Sequence, residues 1–371
     1  MAGIIVHEWL AKRGGSENVV EEIVATFPDA QLQSLWNDAP QRFADLQVAE
    51  TWLARTPLRK SKALALPFMP TTWRHLGSSD AEWILCSSHL FSHHARFAGA
   101  ARDVPKLVYA HTPARYIWTP ELDARGNHAL VKAVRKPLQH LDRSRAQEAQ
   151  SIAANSEFVR ERIQASWHRD SVVIYPPVNV QAFAEDPTAR LTERDQQVLD
   201  ALPDTFLLGA SRFIPYKRLD LVIELGAVSN TAVVLAGDGP LLPELQAHAD
   251  QHPGQVTFVL RPSRALLSAL YRRALAYVFP AIEDFGIMPV EAMAAGARVI
   301  ARDVGGASES VLDGETGVHL SLEGFTGAAG REAVVRAVEM RAQDCVDRAW
   351  QFDHAVFRSD LRNWVESEVG A

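Results

Sequence analysis

Two carboxylates eight positions apart, Glu283 and Glu291, have the surroundings of a ligand site. The apolar run 276–279 before them predicts a buried strand, while Pro289 and Gly296 mark the start and the end of a short helix. Free backbone N–H groups at a helix start favour phosphate, and carboxylates accept hydrogen bonds from hydroxyls. The stretch therefore predicts a site for a phosphate flanked by two hydroxyl-bearing rings, as in a nucleotide sugar. The alternative is that the helix dipole alone favours two acids there.

The loop between these acids is predicted to supply backbone donors. We expect Glu291 to accept hydrogen bonds from ribose hydroxyls and Glu283 to reach a second set of hydroxyls. A glycine in the loop would let a ligand approach the main chain closely, because it has no side chain. The expected N–H donors are those of Phe285, Gly286, Ile287 and Met288.

A basic pair, Arg212 and Lys217, follows the predicted strand Phe206–Ala210. An arginine offers a two-pronged hydrogen-bond donor and a lysine offers a compact positive charge. Placed together at the carboxyl end of a strand, they predict binding of a pyrophosphate. The alternative is that both side chains are merely solvated.

Three glycine turns connect predicted strands to helices. Gly14 and Gly15 follow the predicted strand Ile4–Leu10, as in an anion-binding loop, although such turns also have purely structural uses. Gly237–Pro240 and Gly305–Gly306 are interpreted as turns that support the site rather than contact the ligand.

Histidines follow two of the predicted strands of the first half. His111 ends the predicted strand Lys106–His111, where it could donate a hydrogen bond to a reacting hydroxyl; a structural histidine is the alternative. His89, His93 and His94 have helical spacing, but no carboxylate or cysteine accompanies them in the run. We interpret these three as a polar helix face rather than as metal ligands.

Composition narrows the class of protein. The chain has 371 residues, 47% hydrophobic and 22% charged, which is typical of a soluble protein of two ordinary domains. A net charge of −7 argues against nucleic acid as the main partner. With Cys86 and Cys345 alone, neither a disulfide framework nor a thiolate zinc site is expected.

Strands alternate with helices in both halves of the chain, which predicts an α/β fold of two doubly wound, Rossmann-like parallel sheets. We expect a first domain over residues 1–178, with a long helix near 128–150, and a second domain over 179–352 that begins with a linker at 179–204. The segment 353–371 is predicted to be a helix that rejoins the first domain. A ligand cleft is expected between the domains.

No cofactor and no metal are expected. Asp-x-Asp, the paired aspartates that could hold a divalent ion against a pyrophosphate, does not occur in the sequence. Phosphate charge would then be met by Arg212, Lys217 and backbone N–H groups.

Several motifs in one order resemble a known family. They are Glu283–Gly296, Ser211–Lys217, Gly237–Pro240 and Gly305–Gly306. Together they resemble the retaining nucleotide-sugar glycosyltransferases of family four (group 1), which have the GT-B fold of two Rossmann-like domains facing each other across a cleft. The stretch His111–Trp118 is most similar to the branch that contains bacterial O-antigen mannosyltransferases.

The resemblance implies a role for each matching residue. It implies that Arg212 and Lys217 bind the donor pyrophosphate and that Glu291 holds the ribose. It places Glu283 on sugar hydroxyls and His111 beside the transferred sugar, as the catalytic candidates. The loop Asp284–Met288 would supply backbone N–H groups to sugar and phosphate. Gly14 and Gly15 would let the first domain close over the diphosphate, and acceptor-side candidates are Arg115, Tyr116 and Trp118.

The resemblance also implies a reaction. It is the transfer of a hexosyl group from a nucleoside diphosphate sugar, GDP-mannose being the first choice, by same-face attack without a metal. UDP- or dTDP-sugars, with a natural-product or small-sugar acceptor, remain alternatives. A non-catalytic sugar-nucleotide binding subunit is a further one.

The acceptor is open between glycans, lipid-linked sugars and small molecules. The basic run Arg55–Lys62, followed by apolar Ala63–Met69, could lie on an anionic membrane, or it could be a loop leading into a buried helix. The chain shows no pattern of a signal peptide. We expect a cytoplasmic protein with possible peripheral contact at the inner face of the plasma membrane.

Overall fold

The computed structural model describes residues 2–12, 14–44, 46–119, 129–252 and 255–370. The chain divides into two compact units, one formed by Met1–Pro177 with Ala355–Ala371 and the other by Val178–His354. Each unit contains one parallel sheet with helices packed against it. The predicted α/β class with two doubly wound parallel sheets is therefore confirmed.

The first unit is built on a parallel sheet in the order β3-β2-β1-β4-β5-β6-β7. Its strands are β1 Gly3–His7, β2 Gln31–Ser34, β3 Val48–Glu50, β4 Trp83–Ser88, β5 Lys106–Ala110, β6 Ser151–Ala154 and β7 Val172–Val173. Alternate residues of the central strands enter two separate cores, since Ile4 and Val6 lie in one and Ile5 in the other. This two-sided burial explains why these strands are continuous apolar runs in the sequence.

Helices cover both faces of this sheet. They are α1 Gly15–Thr26, α2 Lys62–Ala65, α3 Met69–Trp73, α4 Arg115–Trp118, α5 Ala129–Ala146 and α6 Glu157–Trp167. Ser156 caps α6, because its side chain accepts a hydrogen bond from the N–H of Val159. The predicted helix start at residue 128 lies outside the described residues.

The final helix of the chain, α16 His354–Val369, packs on the first unit. Phe357 and Leu361 are fully buried in the same core as Ile5. The indole N–H of Trp364 donates to the hydroxyl of Ser151 at 3.0 Å. One core of the first unit is therefore completed by a helix that lies about half the chain away in sequence.

The second unit has a parallel sheet in the order β10-β9-β8-β11-β12-β13. Its strands are β8 Phe206–Arg212, β9 Ala232–Asp238, β10 Val256–Leu260, β11 Ala276–Phe279, β12 Val299–Arg302 and β13 Gly317–Leu320. Its helices are α7 Val180–Ala184, α8 Glu193–Asp200, α9 Asp220–Ser229, α10 Leu242–Ala249, α11 Arg264–Arg273, α12 Ile287–Ala294, α13 Ala307–Ser310, α14 Ala328–Glu339 and α15 Ala342–Ala349.

Three features of this unit differ from the sequence prediction. The expected linker at 179–204 contains α7 and α8, and α7 buries Phe183. Strand β13 was not predicted, because Gly317–Leu320 is too short to give a clear pattern. Helix α12 begins at Ile287, two residues before the predicted start, because Gly286 with φ of 88° already turns the chain into it.

Candidate functional site

The predicted donor residues meet at one edge of the second sheet. Strands β8 and β11 are neighbours in the middle of this sheet, at the point where the strand order reverses. Ligands of open α/β sheets bind outside the carboxyl ends of the strands at such a point. Arg212 is the last residue of β8, Lys217 lies in the short turn after it, and Glu283 follows β11.

Lys217 and Glu283 form an ion pair between the two loops. The lysine side chain is 8% exposed and the glutamate side chain 21%. The lysine Nζ also lies 5.5 Å from the centre of the Phe279 ring. The enclosed lysine is held in place by its carboxylate partner. Glu283 is the more accessible member of the pair.

Arg212 is an exposed cation at this edge. Its Nη2 lies 3.4 Å from the hydroxyl of Tyr216, in the same loop. The side chain is exposed, whereas Lys217 is buried. The two predicted pyrophosphate ligands thus share a loop but differ in accessibility.

The start of α12 presents backbone donors beside Glu283. Gly286 is the N-cap and Ile287 and Met288 are the first helical residues, so their N–H groups have no partner within the helix. Phe285 lies before the cap, and its buried ring packs against Phe352 with centroids 5.5 Å apart. The donors that helix geometry provides are therefore three of the four predicted ones.

Glu291 lies one turn inside α12 and is partly buried. Burial raises its pKa to about 7, although the positive charge of Arg264 acts in the opposite direction. Its carboxylate makes no hydrogen bond or ion pair to the residues that the structure describes. Burial also raises the pKa of the Tyr271 and Tyr277 phenols, and the nearby Glu291 carboxylate adds to that rise. Glu291 is thus a poorly solvated acceptor that has no donor among the described residues.

Two glycine turns support this edge through close backbone contacts. A Cβ atom on Gly306 would lie 2.3 Å from the carbonyl oxygen of Asp284, so only glycine lets α13 approach the loop. The N–H of Gly306 donates to the Glu283 carbonyl at 2.8 Å. The second turn, 237–240, is tied to the end of β8, since the N–H of Phe213 donates to the Asp238 carbonyl at 2.9 Å. Both turns therefore hold loops that carry candidate ligands.

In the first unit, His111 directly follows β5 at the carboxyl edge of the sheet. Its Nε2 lies 2.8 Å from the hydroxyl of Ser87, and its backbone N–H donates to the Ser88 carbonyl. Burial, with smaller contributions from His89 and His7, holds its pKa well below the usual range. His111 is therefore a neutral, fixed imidazole.

Gly14 and Gly15 lie at the start of α1, as predicted. A Cβ atom on Gly14 would lie 1.9 Å from a carboxylate oxygen of Glu17. That buried carboxylate accepts hydrogen bonds from the N–H of Ala11 at 3.2 Å and from the hydroxyl of Ser16 at 3.0 Å. The loop is thus folded around Glu17. Residue 13, directly before these glycines, lies outside the described residues.

The interpretation of the histidines at 89, 93 and 94 as a polar helix face is wrong. His93 and His94 are fully buried, and their Nε2 atoms lie 3.2 and 3.1 Å from one oxygen of Asp142. The other oxygen accepts hydrogen bonds from the indole N–H groups of Trp118 and Trp167, each at 2.7 Å. This buried carboxylate lies in α5, far along the chain, so no local signal could reveal it.

The acceptor-side candidates Arg115, Tyr116 and Trp118 lie on α4. Trp118 is anchored by Asp142, and the guanidinium of Arg143 lies 5.3 Å from its ring centre. All three side chains are partly exposed. They therefore remain candidates for contact with an acceptor.

Sequence reasoning missed a second polar cluster, formed by His7, Glu8, Ser87 and His89 around His111. His7 Nδ1 lies 3.1 Å from the hydroxyl of Ser87, and His89 Nδ1 lies 3.3 Å from a Glu8 oxygen. Burial lowers the pKa of His7 to about 4 despite the nearby Glu8 charge. The available signal was a His-Glu pair at the end of an apolar strand.

Several groups of side chains lie close enough to hold an ion. Among the described residues these are His7 with Glu8 and His89, His93 with His94 and Asp142, and Glu224 with His248 and His252. None of them includes a predicted donor-site residue. Metal independence stays a prediction.

Two family models match the chain in succession. Residues 13–182 match the model described as Glycosyltransferase Family 4, and residues 192–323 match that described as Glycosyl transferases group 1. The chain is 27% identical over 272 residues to alpha-1,3/1,6-mannosyltransferase ALG2 of Rhizomucor pusillus, covering 60% of this chain and 57% of that protein. It is 28% identical over 232 residues to a GDP-mannose-dependent alpha-(1-6)-phosphatidylinositol monomannoside mannosyltransferase of Mycolicibacterium smegmatis, covering 57% and 60%.

The solved structure of Anabaena HepE in complex with UDP-glucose shares the fold. Its TM-score is 0.70 at 18% identity, over 98% of this chain and 99% of that one. The matches to the two mannosyltransferases span less than two thirds of those proteins. Because models of this family match both halves of the chain, the chain belongs to the group 1 glycosyltransferases of family four.

Proposed function

We propose that the protein is a retaining glycosyltransferase that moves a mannosyl group from GDP-mannose to a hydroxyl of a glycan, lipid-linked or small-molecule acceptor, without a metal ion. The observation that carries this proposal is the ion pair of Lys217 with Glu283 beside the N–H groups at the start of α12, which have no partner within the helix. Cation, carboxylate and helix start together offer complementary partners for a diphosphate and for sugar hydroxyls.

Donor binding exchanges the partners of this pair. The pyrophosphate takes the positive charges of Lys217 and Arg212, as well as the N–H groups at the start of α12. Glu283 is thereby released to accept hydrogen bonds from the sugar. Glu291, which has no internal donor among the described residues, accepts hydrogen bonds from the ribose hydroxyls.

The choice of GDP-mannose is supported by the relatives, not by the site. Two similar proteins are named mannosyltransferases, one of them GDP-mannose-dependent. The residues of the site contact parts that all nucleotide sugars share. A UDP- or dTDP-sugar is therefore the competing outcome of the binding test.

The reaction proceeds on one face of the sugar. The bond between the anomeric carbon and the leaving phosphate oxygen breaks, while a bond to the acceptor oxygen forms on the same face. The acceptor proton passes to the leaving diphosphate. His111, neutral because of its low pKa, supplies a hydrogen bond beside the transferred sugar and takes no net charge.

A membrane-bound acceptor is supported by an exposed apolar surface on the first unit. Trp52, Leu64 and Phe68 are 51%, 64% and 45% exposed, and the basic run Arg55–Lys62 lies among them. Within the described part of the chain, no helix is both long and apolar enough to cross a bilayer. We propose a cytoplasmic protein that makes peripheral contact with anionic lipid through this surface.

Thermal stabilisation by GDP, UDP, ADP and dTDP, each with and without magnesium, tests the donor. We expect a shift with GDP that magnesium does not change. Lys217→Ala and Arg212→Ala should abolish that shift and the turnover of GDP-mannose, whereas Arg194→Ala, an exposed control in the same unit, should change neither. Near-normal turnover in both site variants would refute the donor site. GDP binding without turnover of any acceptor, including water, would favour a non-catalytic subunit.

A further inference from the structure

The first sheet has its own point where the strand order reverses, between β1 and β4. Glu8 directly follows β1 and His89 directly follows β4. The carboxyl edge at such a point is where open α/β sheets bind ligands. These two residues, 81 positions apart in sequence, therefore occupy the expected ligand position of the first unit.

Glu8 is a fully buried carboxylate fixed by the backbone. Its Oε1 accepts hydrogen bonds from the N–H groups of His89, Leu90 and Ser92 at 3.2, 2.8 and 3.0 Å. Burial alone would raise the pKa of Glu8, but the neighbouring histidines and these N–H groups outweigh it and lower the pKa to about 2. Glu8 is thus ionised, and its orientation is set by the main chain.

The second oxygen of Glu8 faces the ring of His89. Oε2 lies 3.3 Å from His89 Nδ1 without the alignment of a hydrogen bond, and neither atom has a hydrogen-bond partner among the described residues. A carboxylate can accept but not donate, so its negative charge at this distance favours the tautomer with the hydrogen on Nδ1. The ring is 22% exposed, and its Nε2 makes no hydrogen bond within the described part of the protein.

The neighbouring histidines, His7 and His111, each have one ring nitrogen against the same hydroxyl. His7 is fully buried with Nδ1 on Ser87, and the Nε2 of His111 lies on the same hydroxyl. The ring centres of His7 and His111 lie 5.5 and 6.1 Å from that of His89. The Trp9 ring packs edge-on against His89, with the ring centres 5.0 Å apart. Among the imidazoles of this cluster, only His89 combines an oriented ring with exposure.

We propose that His89 accepts a hydrogen bond through Nε2 from the hydroxyl of the glycosyl acceptor, and that Glu8 is the residue that positions it. This inference rests on the proposed transferase function and names the acceptor-contacting group of the same reaction. The hydroxyl has a single hydrogen, so His89 orients the attacking oxygen before the step. As the new bond forms, that hydrogen leaves Nε2 and passes to the leaving diphosphate, and His89 gains no proton. The first unit would therefore recognise the acceptor through one of its hydroxyl groups.

Glu8→Gln tests the positioning role without removing bulk. The amide oxygen can still accept the three backbone N–H groups, which leaves the NH₂ group facing His89 Nδ1. Nδ1 must then accept, the ring hydrogen moves to Nε2, and Nε2 can no longer accept from a hydroxyl. Nitrogen-15 NMR of histidine-labelled protein shows which ring nitrogen of His89 carries the hydrogen. If Glu8 had only a structural role, its replacement would leave this hydrogen in place.

His89→Asn removes the ring itself, and His75→Asn is the matched control, because His75 is exposed elsewhere in the same unit. Two quantities are measured: the rate of GDP-mannose hydrolysis, with water as the acceptor, and the Kd for GDP. We expect Glu8→Gln and His89→Asn to lower the rate about 10- to 100-fold, since the attacking oxygen loses its orientation. The Kd for GDP should not change, and His75→Asn should behave like wild type.

Three results would overturn the inference while leaving the proposed glycosyl transfer intact, although the third would contradict the proposed metal independence. They are wild-type hydrolysis by both variants, an Nδ1 hydrogen that stays in place in Glu8→Gln, and a wild-type rate that is lost in EDTA and restored by zinc. The last would assign His7, Glu8 and His89 to an ion. By contrast, a wild-type protein that neither binds GDP nor hydrolyses the sugar nucleotide would refute the proposed function itself.

Discussion

Replacement of Glu291 by glutamine should stabilise the protein and weaken nucleotide binding at the same time. The carboxylate is partly buried in α12 and has no hydrogen-bond donor among the described residues. Its pKa is raised from 4.5 to about 7 by burial, against the attraction of Arg264. An ionised carboxylate at this position lowers the free energy of unfolding. The loss is explained if the carboxylate serves to bind ribose hydroxyls.

The size and sign of the effect follow from the pKa. Because the folded pKa is higher than the unfolded one, the folded state binds more protons between about pH 4.5 and pH 7, and stability falls as pH rises through that window. The pKa difference corresponds to a loss of at most about 3 kcal/mol in the free energy of unfolding. This loss is complete above pH 7 and absent below the unfolded pKa. Glutamine carries no charge and should remove this loss.

Urea unfolding of wild type and Glu291→Gln at several pH values between about 5 and 8 measures the effect. We expect similar unfolding free energies at the acid end and a more stable variant at the alkaline end. Glu332→Gln, an exposed control on α14, should follow wild type throughout. The Kd for GDP, measured at about pH 8, should rise about 10- to 100-fold in Glu291→Gln, because a charge-assisted hydrogen bond is lost.

Wild-type GDP affinity should also fall as pH drops below about 7, since protonation of Glu291 removes an acceptor, and the variant should lack this slope. The reasoning is refuted if the stability difference between the two proteins is constant over the pH range. It is equally refuted if Glu291→Gln binds GDP as wild type does, because the unpaired carboxylate would then have no ligand.

Three further predictions address the supporting structure and the membrane surface. Gly306→Ala should destabilise the second unit by about 1–3 kcal/mol in urea unfolding and weaken GDP binding, because the new methyl group would push on the backbone before α12; unchanged GDP affinity would show that the contact does not shape the site. Asp142→Asn should cost about 3–5 kcal/mol of stability, since one oxygen that accepts buried donors becomes an NH₂ group; wild-type stability would refute its role as the centre of that network. Leu64→Ser with Phe68→Ser should reduce sedimentation with phosphatidylglycerol vesicles while Val335→Ser, an exposed apolar control in the second unit, does not; equal binding by all three proteins would refute the membrane surface.

Local patterns in the sequence predicted the elements of the fold well. Strand β11 occurs at the predicted residues 276–279, and β8 and β5 begin at their predicted first residues, Phe206 and Lys106. Buried parallel strands are continuous apolar runs bounded by turns, so each one carries its own signal. The weak cases, such as α7 and β13, are short elements whose few residues show no clear period.

The chemistry of single positions was also visible in the sequence. Arg212, Glu283 and Glu291 were predicted as ligands because strand ends and helix starts place side chains at a sheet edge. Their roles remain predictions, whereas their positions at that edge are now described. What a residue can do depends on its type, and the sequence states the type directly.

Only the tertiary structure decided which residues act on one another. Lys217 meets Glu283 across 66 positions, His89 meets Glu8 across 81, and His94 meets Asp142 across 48. These partners come from different strands and helices, and their distances depend on strand order and packing, which no local pattern encodes. The sequence by itself therefore determined the elements and the available chemical groups, while the folding of distant strands into one sheet determined the pairs, the burial and the shifted pKa values.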